Sequence, residues 1–355
     1  MYQWRGFTYF ASAVAMRRVG AAVAAITGLV SVAAWAEAPV LTWPLACTLG
    51  VDCTIQNYLD RDPTPGATDF ACGSLTYNGH TGTDFRIADY GAMRRGVAVV
   101  AAAPGVVVGV RDGMEDVNAR LTGHDSVADR SSGNVVAIAH GDGYETRYAH
   151  LRRGSVAVKK GDRVERGRIL GYVGLSGLTE FPHLHLTVRR DRVNLDPFTG
   201  ESEWVACDPS RAHAGLPPTA MWEKALSAAL GYVATGLLKS GFSDQLPEAE
   251  AIEKGEHAAT TLTRTAAAIY FWASTYGVRA DDVVQFRVFD PEGRIFTEHR
   301  RIVPRHQAQQ IEFVGKRRQQ VEWLPGRYRG EFELRRGPPG RQAVVVSTAR
   351  DVTIE

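Results

Sequence analysis

Short runs in which apolar and polar residues alternate, separated by glycines, fill the middle of this chain. Val97 to Val110 is almost wholly apolar and breaks only at Pro104-Gly105. Asn134 to His140, Thr146 to Tyr148 and Ile169 to Val173 alternate, and Gly141, Gly143, Gly154, Gly161, Gly167 and Gly177 punctuate the text. Short β-rich runs with turn residues between them predict an antiparallel β domain over residues 76–200. Residues 37–75 before it carry little periodicity and turn-rich text such as Asp62-Pro-Thr-Pro-Gly66, which reads as an irregular segment. A long polar interval from Arg111 to Ser132 interrupts the strands, and loops of that length are binding walls, lids or disorder. Leu226, Leu230, Val233 and Leu237 recur at helical spacing, predicting a helix from Trp222 to Leu238 inside a linker of residues 201–250. Strands return from about Ala266. Val283 to Phe289 ends at an Asp290-Pro-Glu-Gly293 turn, and Tyr328, Gly330, Phe332 and Leu334 share one strand face. The expected class is all-β dominated: an antiparallel β-sheet domain and a C-terminal β-sandwich over residues 251–355, joined by a short helical linker.

The N-terminus changes the picture of where the chain works. Arg17-Arg18 precedes an apolar run from Val19 to Ala33, and Ala34-Trp35-Ala36 ends it with small residues. A basic head, a short apolar stretch and an A-x-A ending describe a secretory signal over residues 1–36. The run is short for a membrane core of ~30 Å, which argues against a permanent anchor. Met16, directly before the basic pair, is the expected translation start, and the mature chain is expected to begin near Glu37. No later segment is long and apolar enough to span a membrane, so no stable span is expected after cleavage. Cys47, Cys53, Cys72 and Cys207 all follow the expected cut. An even count in an exported chain predicts two disulfides, with three connectivities open. A zinc knuckle would need a C-x-x-C pair, and there is none.

Composition then excludes more than it proposes. With 45% apolar and 23% charged residues the chain can bury a core. A formal net charge of +2 and the lack of any basic arm argue against nucleic acid as a partner.

The candidate chemistry lies in the histidines. In His80-Thr-Gly-Thr-Asp84 two potential ligands stand four residues apart, and in His183-Leu-His185 two imidazoles stand two apart. On a strand both spacings place side chains on one face. Two imidazoles, one carboxylate and a place for water make an open tetrahedral zinc site. His150, closing Tyr148-Ala-His-Leu151, supplies a further proton acceptor or donor. No H-E-x-x-H helix is present, so no glutamate base is offered in that manner. Spacing does not say which of His183 and His185 holds metal. His140 reads as structural, and His124 as a lid residue that at most touches substrate.

The order His80-x-Gly-x-Asp84, Ala101-Ala-Ala-Pro-Gly105, Gly133-Asn134-Val-Val-x-Ile138, His140-Gly-x-Gly143, Tyr148-Ala-His150-Leu151 and His183-Leu-His185 resembles the lysostaphin-type zinc peptidases. The likeness runs from about Thr76 to Pro197, with every motif in order. It implies one Zn2+ per chain on His80, Asp84 and His185. It assigns His183 and His150 to catalysis, and Asn134 and Tyr148 are expected to line the substrate. The implied activity is hydrolysis of cross-links or stem peptides in peptidoglycan, in a Gram-negative periplasm or outside the cell. The alternatives are a non-catalytic regulator of other wall hydrolases and a secreted protease acting on proteins. One departure is clear: H-L-H continues as Leu186-Thr187, where many relatives carry an aromatic residue and a glutamate.

Overall fold

Period-two alternation becomes strand after strand in the computed structural model, which describes residues 37–123, 130–210, 215–319 and 321–355. The expected signal segment and His124 lie outside the described residues. Among the described residues ten strands precede residue 200: β1 (Cys53–Asn57), β2 (Thr83–Ile87), β3 (Ala98–Val100), β4 (Gly105–Arg111), β5 (Asn134–Gly141), β6 (Tyr144–Leu151), β7 (Arg163–Val164), β8 (Ile169–Tyr172), β9 (His183–Arg190) and β10 (Val193–Leu195). The main sheet is antiparallel in the order β1-β2-β9-β6-β5-β4-β7, with β10 on β9, and β3 pairs separately with β8. Two short helices accompany it, α1 (Tyr90–Arg95) and α2 (Ala119–Thr122).

The two faces of the sheet do different work. Phe85 stands opposite Leu184, and Tyr148 opposite both Leu186 and Val136. All five are buried in one apolar core. Asp84, His183 and His185 alternate with these residues and project from the other face. The strands β2, β9 and β6 are neighbours, so the site sits near the middle of the sheet.

Residues 37–75 are more regular than their text suggests. Strand β1 pairs with β2 along Cys53–Asn57 and forms the edge of the main sheet. The disulfides are Cys47–Cys53 and Cys72–Cys207, and no described cysteine is free. The second joins this segment to the stretch after β10.

The helix expected over Trp222–Leu238 does not form. A 3-10 turn at Lys224–Leu226 is followed by extended chain and by strand β11 (Gly236–Ser243), with a short helix α3 (Ala249–Glu253) after it. The apolar spacing has another cause. Leu230 and Leu238 pack on the core of the main sheet, and Leu237 packs on a second core beyond it. Gly231 and Gly236 weaken a helix here, and pairing with β13 (Ala268–Val278) takes the backbone hydrogen bonds of β11 instead.

That second core lies in a sandwich. Strands β11, β13 and β16 (Gln307–Arg317) form one sheet. The other holds β12 (Thr261–Leu262), β18 (Ala343–Ile354), β17 (Gly326–Arg336), β14 (Val283–Phe289) and β15 (Ile295–Ile302), in that order. Phe271, Phe286, Phe332 and Leu334 fill the space between them. Gly330 is required there, because a Cβ would stand 2.4 Å from the Phe271 ring. Among the described residues no helix is long and apolar enough to cross a membrane.

Candidate metal and catalytic centre

The β2–β9 register places Asp84 opposite His185, and the β6–β9 register places Ala149 opposite His185. By alternation His150 would then join Tyr148 in the core. Instead His150 takes a left-handed backbone at φ 60°, which brings its ring centroid to 4.6 Å from His183 and 5.9 Å from His185. That conformation costs an L-residue roughly 1–2 kcal/mol, and such residues gather where function requires them. The surrounding backbone enforces it: the His150 N–H donates to the Ser132 carbonyl at 3.0 Å, and its Nδ1–H to the Ser176 carbonyl at 2.7 Å.

Carbonyl oxygens can only accept, and this settles three tautomers. His80 donates Nδ1–H to Tyr58 O at 2.6 Å, His150 to Ser176 O, and His183 to Phe181 O at 2.9 Å. In their neutral forms all three carry the lone pair on Nε2. His185 is turned the other way, with Nε2 against the Thr187 hydroxyl at 3.1 Å and Nδ1 directed to Asp84 Oδ1 at 2.9 Å. Asn57 Nδ2 holds the outer Asp84 oxygen at 2.9 Å.

Three donor atoms meet at one point. His80 Nε2 is 3.2 Å from Asp84 Oδ1 and 3.2 Å from His185 Nδ1, and the third edge is the 2.9 Å contact above. Zinc bonds of ~2.0–2.1 Å in a tetrahedron give ligand–ligand edges of about 3.3 Å, so the donor set fits a divalent ion. His150, His183 and His185 form a second group within ligand reach, sharing His185. It has no carboxylate, although His183 Nε2 stands 3.3 Å from Asp84 Oδ1.

The electrostatics separate these groups. Burial opposes the Asp84 charge, but the imidazoles of His80 and His183 outweigh it and hold the carboxyl well below its usual range. Burial also opposes charging His80, yet Asp84 beside it raises its pKa. Burial, aided by the neighbouring His183 and His185, pushes His150 well below the ordinary histidine value. His150 is therefore a neutral base at neutral pH.

Two expected substrate contacts are corrected. Tyr148 is fully buried, and its hydroxyl accepts from Ala102 N–H at 2.8 Å. Asn134 is fully buried too, and its amide bridges Met114 and the Leu151 carbonyl. Both hold walls rather than face a ligand. His140 is structural, between Pro104 O and the Thr146 hydroxyl. Asn118, in the described part of the long polar interval, donates to Glu180 O at 2.8 Å, and Ala119 N–H donates to Thr179 O. The interval thus stands beside His183, which contacts the Thr179 hydroxyl. Residues that the sequence did not flag are Asn57, Thr187 and the carbonyls of Tyr58 and Ser176. Only the Thr187 position carried a signal, as the departure after H-L-H.

Residues 78–197 match the family model described as Peptidase family M23. Over this stretch the chain resembles that peptidase family. Among curated proteins it is similar to the peptidoglycan DD-endopeptidase ShyA of Vibrio cholerae, 38% identical over 117 residues, which is 32% of this chain and 22% of that protein. It is also similar to the DD-carboxypeptidase/endopeptidase Mpg of Neisseria meningitidis, 34% identical over 124 residues, or 35% of this chain and 23% of the relative. The chain therefore spans less than a quarter of the length of these relatives. Among solved structures it is similar to a zinc-containing peptidase from Vibrio cholerae, at 26% identity and a TM-score of 0.27, covering 39% of this chain and 38% of that one. The catalytic domain of lysostaphin from Staphylococcus simulans gives 27% identity and a TM-score of 0.25, covering 34% and 78%. The M23 match encloses all five residues gathered around Asp84 and His185.

Proposed function

We propose that this chain is an exported zinc metalloendopeptidase that hydrolyses peptide bonds of peptidoglycan cross-links or stem peptides, in a periplasm or outside the cell. The observation that carries the reading is the meeting of His80 Nε2, Asp84 Oδ1 and His185 Nδ1 within 2.9–3.2 Å of one another, with two further imidazoles beside them. The names of the curated relatives supply the substrate class.

His80, Asp84 and His185 would hold one zinc ion. The ionised Asp84 favours this trio over the all-imidazole group, because a carboxylate offsets part of the cation's charge in a buried site. Bound there, zinc would supply Lewis acidity and lower the pKa of an attacking water toward ~7. His150, neutral with its Nε2 lone pair free of the Ser176 bond, accepts a proton from that water and returns it to the leaving amine. His183, fixed at Nδ1 by Phe181 O, presents Nε2 to the same space and orients the water or the scissile carbonyl. Such proton handling contributes roughly 10²–10⁴-fold.

Mass analysis of muropeptides after incubation of sacculi with the zinc-loaded protein tests the reading. New products with one peptide bond cleaved are the expected result. Intact sacculi together with cleaved casein would make it a protease of proteins. Intact sacculi and intact casein would leave the regulator. Metal content of single variants tests the ligand assignment: His80→Ala, Asp84→Ala and His185→Ala lose zinc, whereas His150→Ala and His183→Ala keep about one per chain and lose turnover.

A further inference from the structure

Arg86 is a buried arginine, 3% exposed, to which the peptidase reading gives no task. It follows Asp84 by two residues on β2, so it shares the site's face, and its register partner across the sheet is His183. Its guanidinium lies over the Phe181 ring, 4.4 Å from the centroid. Phe181 in turn packs on His183, with ring centroids 4.7 Å apart and planes 36° apart, and its carbonyl takes the His183 Nδ1–H.

The rest of the guanidinium is gripped mainly by the C-terminal sandwich. Glu253, at the end of α3, forms an ion pair with it, and Gln309 of β16 accepts a hydrogen bond at 3.2 Å. Gln309 also donates to Glu253 at 3.2 Å, so the two residues are fixed to each other. Gln56 completes the shell at 2.8 Å. An unbroken stack thus runs from the sandwich through Arg86 and Phe181 to His183.

We propose that Arg86 is a positioning residue through which the docked C-terminal sandwich holds His183 in its working orientation. This rests on His183 acting in catalysis as described above. The physical route is direct. A buried guanidinium stays in place only while a carboxylate and further acceptors satisfy it. Without Glu253 it withdraws toward water, and Phe181 loses the cation on its face. The imidazole packed on the other side of Phe181 then has freedom to rotate, and small misplacements at a reacting centre cost large factors in rate.

The test uses the full zinc-loaded chain with Arg86→Leu, Arg86→Lys, Phe181→Leu, Glu253→Gln and the double variant Arg86→Leu/Phe181→Leu. Zinc stays at one per chain and KM within about twofold, while kcat falls roughly tenfold in Arg86→Leu and Phe181→Leu and several-fold in Glu253→Gln. The double variant loses no more than the worse single one, because both act through one stack. Arg86→Lys, which keeps the charge but lacks the planar fork, does not restore kcat. In labelled protein the His183 imidazole resonance shifts or broadens in the same variants while that of His80 does not. Wild-type kcat with an unmoved His183 signal and a lowered melting temperature would make Arg86 an ordinary interface ion pair and overturn the proposal. Inactivity of the wild-type chain would count against the peptidase reading instead, and the His183 resonance would still decide the positioning role.

Discussion

Asp196 is a buried carboxyl whose charge the fold leaves poorly compensated. Its side chain is fully buried, Oδ1 accepts from the Phe198 N–H at 2.8 Å, and Oδ2 has no hydrogen-bond partner among the described residues. Arg61, the cation that acts on it, is already bonded to Glu201. Burial therefore raises the Asp196 pKa from 3.8 to about 7, against the Phe198 hydrogen bond and the Arg61 charge. Between those values the folded protein retains a proton that the unfolded chain has released. The associated stability is fully present below about pH 4 and is lost as pH rises through 7. A pKa difference of about 3, at 1.36 kcal/mol for each unit, corresponds to about 4 kcal/mol. Asp196→Asn keeps the acceptor for Phe198 and carries no charge at any pH. Urea unfolding of both proteins from pH 4 to pH 8 is the assay, and the difference between them is the quantity to read. It should be within about 1 kcal/mol at pH 4 and grow to about 4 kcal/mol in favour of the variant by pH 8. A difference that stays constant across that range refutes the reasoning, because it would show that the carboxyl does not titrate there.

Gly133→Ala should lower thermal stability, by roughly 2 kcal/mol or more, and should reduce turnover without loss of zinc. Gly133 sits at φ 58°, and a Cβ would stand 2.2 Å from the Ser176 carbonyl that receives the His150 Nδ1–H. Thr187→Val removes the hydroxyl that meets His185 Nε2 while keeping the side chain's shape, and should weaken zinc affinity by roughly 10–100-fold in a chelator competition. Replacing Cys72 and Cys207 with serine opens a link of 135 residues in sequence, and replacing Cys47 and Cys53 opens one of 6. The chain-entropy relation gives about 5 and about 2 kcal/mol, so the urea midpoint should fall much further in the first pair. Equal losses would show that native contacts, not loop closure, set the effect.

Alternation made half of the site legible. Period two alone puts Asp84 and, on another strand, His183 and His185 on single faces, with Phe85 and Leu184 facing the opposite way into the core. The same reasoning fails at His150, because alternation would bury it beside Tyr148. Its left-handed backbone is set by the carbonyls of Ser132 and Ser176, which only the folded chain brings near. A different period misled between Trp222 and Leu238, where helical spacing predicted a helix that does not form. Helical spacing there arises because the chain passes between two cores and buries different leucines in each. Tyr148 and Asn134 belong to recognisable motifs, yet a motif does not tell whether a polar side chain turns to substrate or to a buried carbonyl. What the sequence by itself determined is the β class, the site's residue types and the face that most of them share, since these follow from local period and side-chain chemistry. The tertiary structure alone decided the tautomers of His80 and His150, the placing of His150 and the hold of Glu253 on Arg86, because each depends on a partner far away in the chain.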